Sequence, residues 1–211
     1  MDLYGSLVIK INYYMKFLKP FMPGNYSVPG NYSGSGNMLK EDDGTHKFGC
    51  SMVYFDMPMM EALHKIIDEE DVYIDDSDRS FGLESEPHTT LLYGLHADVD
   101  DKDVIEKSKP DEIGDITLHN ASLFENDDYD VLKMDAKAEW LTGCNKKLTE
   151  LPHTTEFKIY KPHCTIGYLK KGVGQKYVDM FNGMQIKVNP VEIVYSKTDG
   201  TKVKAKLDKQ K

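Results

Sequence analysis

Two short strings in this chain nearly repeat each other. Pro87-His88-Thr89-Thr90-Leu91-Leu92-Tyr93-Gly94 is echoed by Pro162-His163-Cys164-Thr165-Ile166-Gly167-Tyr168, with the two histidines 75 residues apart. On a strand successive side chains alternate faces, so a histidine and a threonine two apart point the same way. Each string therefore offers one imidazole and one hydroxyl on a common face. Two such strands facing one groove would gather two histidines and two hydroxyls around a small anion. That set suits phosphodiester chemistry without a metal, in which one imidazole takes a proton and the other gives one.

The elements that must position these residues can be read from the pattern around them. Phe48 to Met57 is a β-rich run, and Pro58 opens a helical spacing of Met60, Leu63, Ile66 and Ile67 through Glu70. Asp68 to Asp78 is an acidic loop, and Pro87 to His96 is the first motif strand. Asp101 to Ser108 reads as a helix ending before Pro110. Asp115 to Phe124 and Asp130 to Ala138 form a hairpin about Glu125-Asn126-Asp127-Asp128. Trp140 to Leu151 is a helix weakened by Gly143, and Glu156 to Tyr168 holds the second motif strand. Val173 to Met180 is helical, and Ile186 to Tyr195 is extended. Thr198-Asp199-Gly200 turns the chain into Lys202 to Leu207, an edge strand whose alternating lysines block further pairing. The second half repeats the first in outline.

This arrangement resembles the 2H phosphoesterase superfamily, which includes the RNA ligase-like cyclic phosphodiesterases. The resemblance rests on the paired His-x-Thr strings, each preceded by proline and followed by apolar residues and tyrosine, and covers about Lys47 to Leu207. It implies an α+β fold: two lobes of duplicated, pseudo-twofold antiparallel sheet, helices packed outside and a central groove. It divides the chain into an N-terminal extension, residues 1–46, and a phosphoesterase-like domain, residues 47–211. His88 and His163 are then the acid–base pair, and Thr90 and Thr165 donate to the phosphate oxygens. By the same likeness His88 is the acid and His163 the base. The compact acidic chain is also similar in style to phage members that destroy cyclic oligonucleotide immune signals. The substrate implied is a small nucleotide phosphodiester, either a cyclic oligonucleotide signal or a 2′,3′-cyclic phosphate. A sequestering protein using the same groove, or an enzyme joining or processing RNA ends at 2′-5′ bonds, is the alternative.

Other residues need weighing beside these. Lys161 shares the parity of His163 and could draw the anion in, and Tyr160 could contact a base. Thr89, Cys164, Tyr93 and Tyr168 fall on the back face by simple alternation, which makes Cys164 a packing residue instead of a nucleophile. Pro152-His153-Thr154-Thr155 copies the first motif, but Glu156 and Lys158 follow it, so it reads as a loop. Were it the true motif, the pair would be His88 and His153. A zinc site would draw on His46, Cys50, Cys144 and His153, whose spacing matches no common ligand pattern. No cofactor is expected.

Composition bounds the partners. The chain has 211 residues and a net charge of −9, which argues against a duplex-binding protein but not against a small nucleotide. Three cysteines without regular spacing suggest reduced thiols in the cytoplasm, which would be the host cytoplasm for a viral protein. No apolar run is long enough for a membrane span. Met1 to Lys19 does not read as a signal peptide. Pro23-Gly24-Asn25-Tyr26-Ser27, repeated as Pro29-Gly30-Asn31-Tyr32-Ser33, reads as a loop or arm that could carry tyrosines to a base.

Overall fold

The computed structural model describes residues 46–75 and 81–207. The N-terminal arm and its repeat lie outside the described residues. The fold is α+β. Seven strands, β1 (Gly49–Asp56), β2 (His88–Leu95), β3 (Ile116–Glu125), β4 (Tyr129–Lys137), β5 (His163–Lys170), β6 (Ile186–Ser196) and β7 (Lys202–Lys206), form one antiparallel sheet. Among the described residues four α-helices accompany them: α1 (Met59–His64), α2 (Asp101–Ser108), α3 (Glu139–Leu148) and α4 (Gln175–Phe181). Among the described residues no helix is long and apolar enough to cross a membrane.

The strand order is β2-β1-β6-β3-β4-β5, with β7 beside β6. Exchanging β1 with β4, β2 with β5 and β3 with β6 reverses that order onto itself. The sheet therefore has a pseudo-twofold axis between β6 and β3. The two motif strands are equivalent and lie at opposite ends of the palindrome. They nevertheless come to lie beside each other, because the sheet curls until its ends meet.

Strand β6 serves both lobes. Its Ile186–Val188 stretch pairs with β3, and its Glu192–Ser196 stretch pairs with β7 on the same side. Pro190 stands between the two ladders, where a residue without an N–H costs no sheet hydrogen bond. The helices cover the convex face. Met60 and Leu63 of α1, Val104 of α2, Leu141, Cys144 and Leu148 of α3, and Tyr177 and Phe181 of α4 all enter one core with the strands' back-face residues.

Local sequence explains most boundaries. Asp100 caps α2, its carboxylate accepting from the Lys102 N–H at 2.8 Å. Helix α3 runs through Gly143, which faces open space. Helix α1 is shorter than its apolar spacing predicts. After His64 the N–H groups of Ile66 and Ile67 turn to carbonyls three residues back, and Asp68 is extended. The second motif strand is also shorter, because residues 156–162 are irregular and pairing starts at His163.

Candidate functional site

The site is built on the concave face of the curled sheet, from β2 and its neighbour β1 in one lobe and β5 and its neighbour β4 in the other. Cross-strand partners share a face. His88 is paired with Tyr54 and Thr90 with Met52, while His163 is paired with Asp135 and Thr165 with Lys133. All four motif residues are half-buried.

The two imidazoles are held alike. His88 Nδ1 lies 2.7 Å from the Glu86 carbonyl, and His163 Nδ1 lies 3.0 Å from the Lys161 carbonyl, each two residues back. A carbonyl only accepts, so in each ring Nδ1 carries a proton. Nε2 is left to take or give one. The surroundings then differ. His88 stacks on the Tyr54 ring with centroids 5.3 Å apart, and its Nδ1 is 3.8 Å from a Glu84 carboxylate oxygen. His163 meets the Phe124 ring edge-on at 4.9 Å. Burial lowers the His163 imidazole from its ordinary pKa. The Lys161 carbonyl opposes that shift, and the nearby Lys133 and His88 charges reinforce it.

Lys133 was not singled out from the sequence. It is only 8 % exposed, its ammonium lies 2.7 Å from Asp135 Oδ1, and it sits 4.8 Å from the centre of the Phe124 ring. The available signal was a lysine inside the apolar run Val131-Leu132-Lys133-Met134 of a strand. By the pseudo-twofold relation its counterpart is Met52, and the counterpart of Asp135 is Tyr54. The two halves thus share a frame and differ in charge.

Simple alternation fails at matching places in the two motif strands, and again at Gly94 near the end of β2. In β2 the register passes from Met52↔Thr90 to Ser51↔Leu92, leaving Leu91 unpaired; in β5 it passes from Lys133↔Thr165 to Leu132↔Gly167, leaving Ile166 unpaired. Both shifts fall three residues after the histidine. A bulge turns every later side chain over. Tyr93 pairs with Cys50 and Tyr168 with Val131, so both tyrosines share the threonines' face, not the back face that alternation predicts. Tyr93 packs with Cys50, Met52 and Val194. Tyr168 is buried against Phe81 and Tyr129.

Cys164 lies before its bulge and stays on the back face, fully buried, where burial pushes the thiol well above its ordinary pKa. Tyr160 packs against the core, and its hydroxyl donates to the Thr90 carbonyl at 2.9 Å. It braces β2 together with Asn145, whose amide donates to the Leu91 carbonyl at 2.7 Å. The Lys161 side chain is exposed beside His163. His153 lies in the loop after α3 and bridges to Leu95, the far end of β2 from His88. Seven residues of strand separate Leu95 from His88, roughly 23 Å, so His153 and His88 cannot share one phosphate. Among the described residues no three His, Cys, Asp or Glu side chains gather closely enough to hold a metal ion.

No family model matches the chain, and no curated protein matches it. Among solved structures the chain is similar to the structure of Kluyveromyces marxianus Usb1 with uridine monophosphate. That likeness has a TM-score of 0.44 and 11 % sequence identity, covering 76 % of this chain and 98 % of that one.

Proposed function

We propose that the chain is a metal-independent phosphodiesterase that hydrolyses a nucleotide phosphodiester, a 2′,3′-cyclic phosphate or a cyclic oligonucleotide, by two-histidine acid–base catalysis. The observation that carries this reading is the matched pair of imidazoles on adjoining strand edges. Each is pinned through Nδ1 and followed by a threonine on its own face. Water attacks phosphorus while His163 Nε2 takes its proton. The P–O bond to the leaving oxygen breaks, and that oxygen receives the proton of His88 Nε2. The Thr90 and Thr165 hydroxyls donate to the non-bridging oxygens, where charge grows in the transition state. Both proton transfers are supplied by the chain, so the mechanism needs no metal.

The roles follow from the difference between the halves. Burial beside Lys133 favours the neutral His163, the form a base needs. His88, with the Glu84 carboxylate close by, is the acid. The test is a substrate panel in EDTA: 2′,3′-cyclic mononucleotides, cyclic dinucleotides and trinucleotides, 2′-5′ oligoadenylate, and RNA with a 2′,3′-cyclic end. Turnover of at least one is expected, and turnover only with added metal contradicts the mechanism. A sequestering protein would bind a member of this panel without changing it.

Lys133→Met, which copies the residue at the equivalent place in the other half, tests the role given to His163. Removing the ammonium takes away a charge that lowers the His163 pKa, so that pKa rises. The acid limb of kcat/KM against pH, set by protonation of the base, then moves to higher pH, and Lys133→Arg keeps it in place. An unmoved limb in the Met variant removes Lys133 from the account.

A further inference from the structure

We propose that Lys202, Lys204 and Lys206 of β7 form a track for the successive phosphates of a linear single-stranded oligonucleotide whose scissile phosphate lies at His88 and His163. The inference rests on the phosphodiesterase reading and narrows its substrate.

The cross-strand registers set the geometry. Lys206 pairs with Glu192, Glu192 with Tyr54, and Tyr54 with His88. The next row is Lys204, Val194, Met52 and Thr90, and the third is Lys202, Ser196, Cys50 and Tyr93. Each lysine therefore stands on the catalytic face, at the far end of a row that begins on the motif strand. All three are exposed, whereas Val203 and Ala205 between them are half-buried on the opposite side. Three strand spacings separate β7 from β2, about 14 Å, and alternate residues along β7 are about 6.7 Å apart. A mononucleotide seated at the histidines meets at most the nearest lysine heads. An extended strand with one phosphate per nucleotide can follow all three.

The lysine heads lean toward the histidine. The ammonium groups of Lys202 and Lys204 each lie 5.9 Å from the centre of the Tyr54 ring, the ring on which His88 stacks. Lys202 is 3.2 Å from Glu86 and Lys204 is 2.9 Å from Glu192. Such exposed pairs are weak, so a phosphate can compete for either cation. In a chain of net charge −9, three lysines on one strand edge concentrate cations beside the site, two of them facing carboxylates that a phosphate would displace. Blocking of edge-to-edge pairing also calls for charges on β7, but either sign serves that purpose.

That difference in sign gives the test. In Lys204→Glu/Lys206→Glu the edge stays charged while the attraction for phosphate is reversed. Rates in EDTA are compared for 2′,3′-cyclic AMP and for adenylate strands of two, four and six residues ending in a 2′,3′-cyclic phosphate. Affinity for a six-residue strand with a plain 3′-hydroxyl is followed against salt. In the native chain kcat/KM rises with length. In the variant the ratio of the longest to the shortest substrate falls roughly tenfold, as exposed charge pairs allow. The slope of log affinity against log salt shrinks by about 1.4, or 0.7 for each phosphate that a lysine no longer neutralises. Rates independent of length, or a ratio and slope unchanged in the variant, overturn the track and leave the phosphodiesterase reading standing. Absence of turnover on every substrate, with the salt slope still reduced in the variant, overturns that reading and leaves the track.

Discussion

His88→Ala and His163→Ala should each lower turnover by about 10²–10⁴-fold, the range for losing one positioned proton-transfer group. Both side chains stand half-buried on the concave face, outside the packed core, so melting temperature and circular dichroism should stay near those of the native chain. His88 and His163 act on one phosphate in one step. The double variant should therefore be little slower than the slower single variant, as for groups that work as a unit. Rates are read in EDTA on whichever panel substrate is turned over fastest. A histidine variant that keeps native turnover removes that histidine from the chemistry. A native chain that binds a panel ligand and leaves it unchanged, and histidine variants that neutralise it equally well, point to sequestration.

Gly94→Ala should be the most damaging glycine-to-alanine change among the described residues. Gly94 has φ +114°, a conformation that residues with a Cβ rarely adopt, and a Cβ placed there would lie 2.0 Å from the Thr154 carbonyl oxygen. That neighbour is backbone, held by the Thr154 N–H donating to the Gly94 carbonyl at 2.9 Å, so it cannot simply rotate away. Strain and displacement together should cost about 3 kcal/mol, a fall of roughly 6–12 °C in Tm for a domain of this size. Gly143→Ala is the control. It lies inside α3 with nothing within 4 Å of the new carbon, and should stabilise by about 0.5–1 kcal/mol. Equal effects at the two positions would contradict the strand-edge packing described for the loop beside β2.

How much of this was legible in the sequence depends on the range over which each signal acts. Helix α2 was readable to its end residues because its cap and its terminating proline are local. The hairpin of β3 and β4, the break at Asp199-Gly200 and the lysine-bearing edge were readable for the same reason. The apolar stretch through Glu70 did not continue as helix, since its residues are buried by turns instead. The motif strands exposed a limit of period-two reading. Strict alternation places Tyr93 and Tyr168 behind the sheet, and one unpaired residue in each strand brings them forward. A bulge is fixed by pairing with the neighbouring strand, which the strand's own sequence does not contain. The same holds for Lys133, whose importance comes from standing opposite Thr165 in another element. The palindromic strand order, which makes Met52 its counterpart, exists only in the assembled sheet.

The pH dependence of kcat/KM in EDTA tests the two-histidine claim most directly. The account predicts an acid limb set by His163, whose pKa lies below the ordinary imidazole value. That limb should vanish in His163→Ala, on a much lower residual rate, and stay in place in His88→Ala, whose rate should also fall. A profile that keeps the limb in His163→Ala, a His88→Ala variant at native rate, or a rate that appears only when a divalent metal is restored, would contradict it.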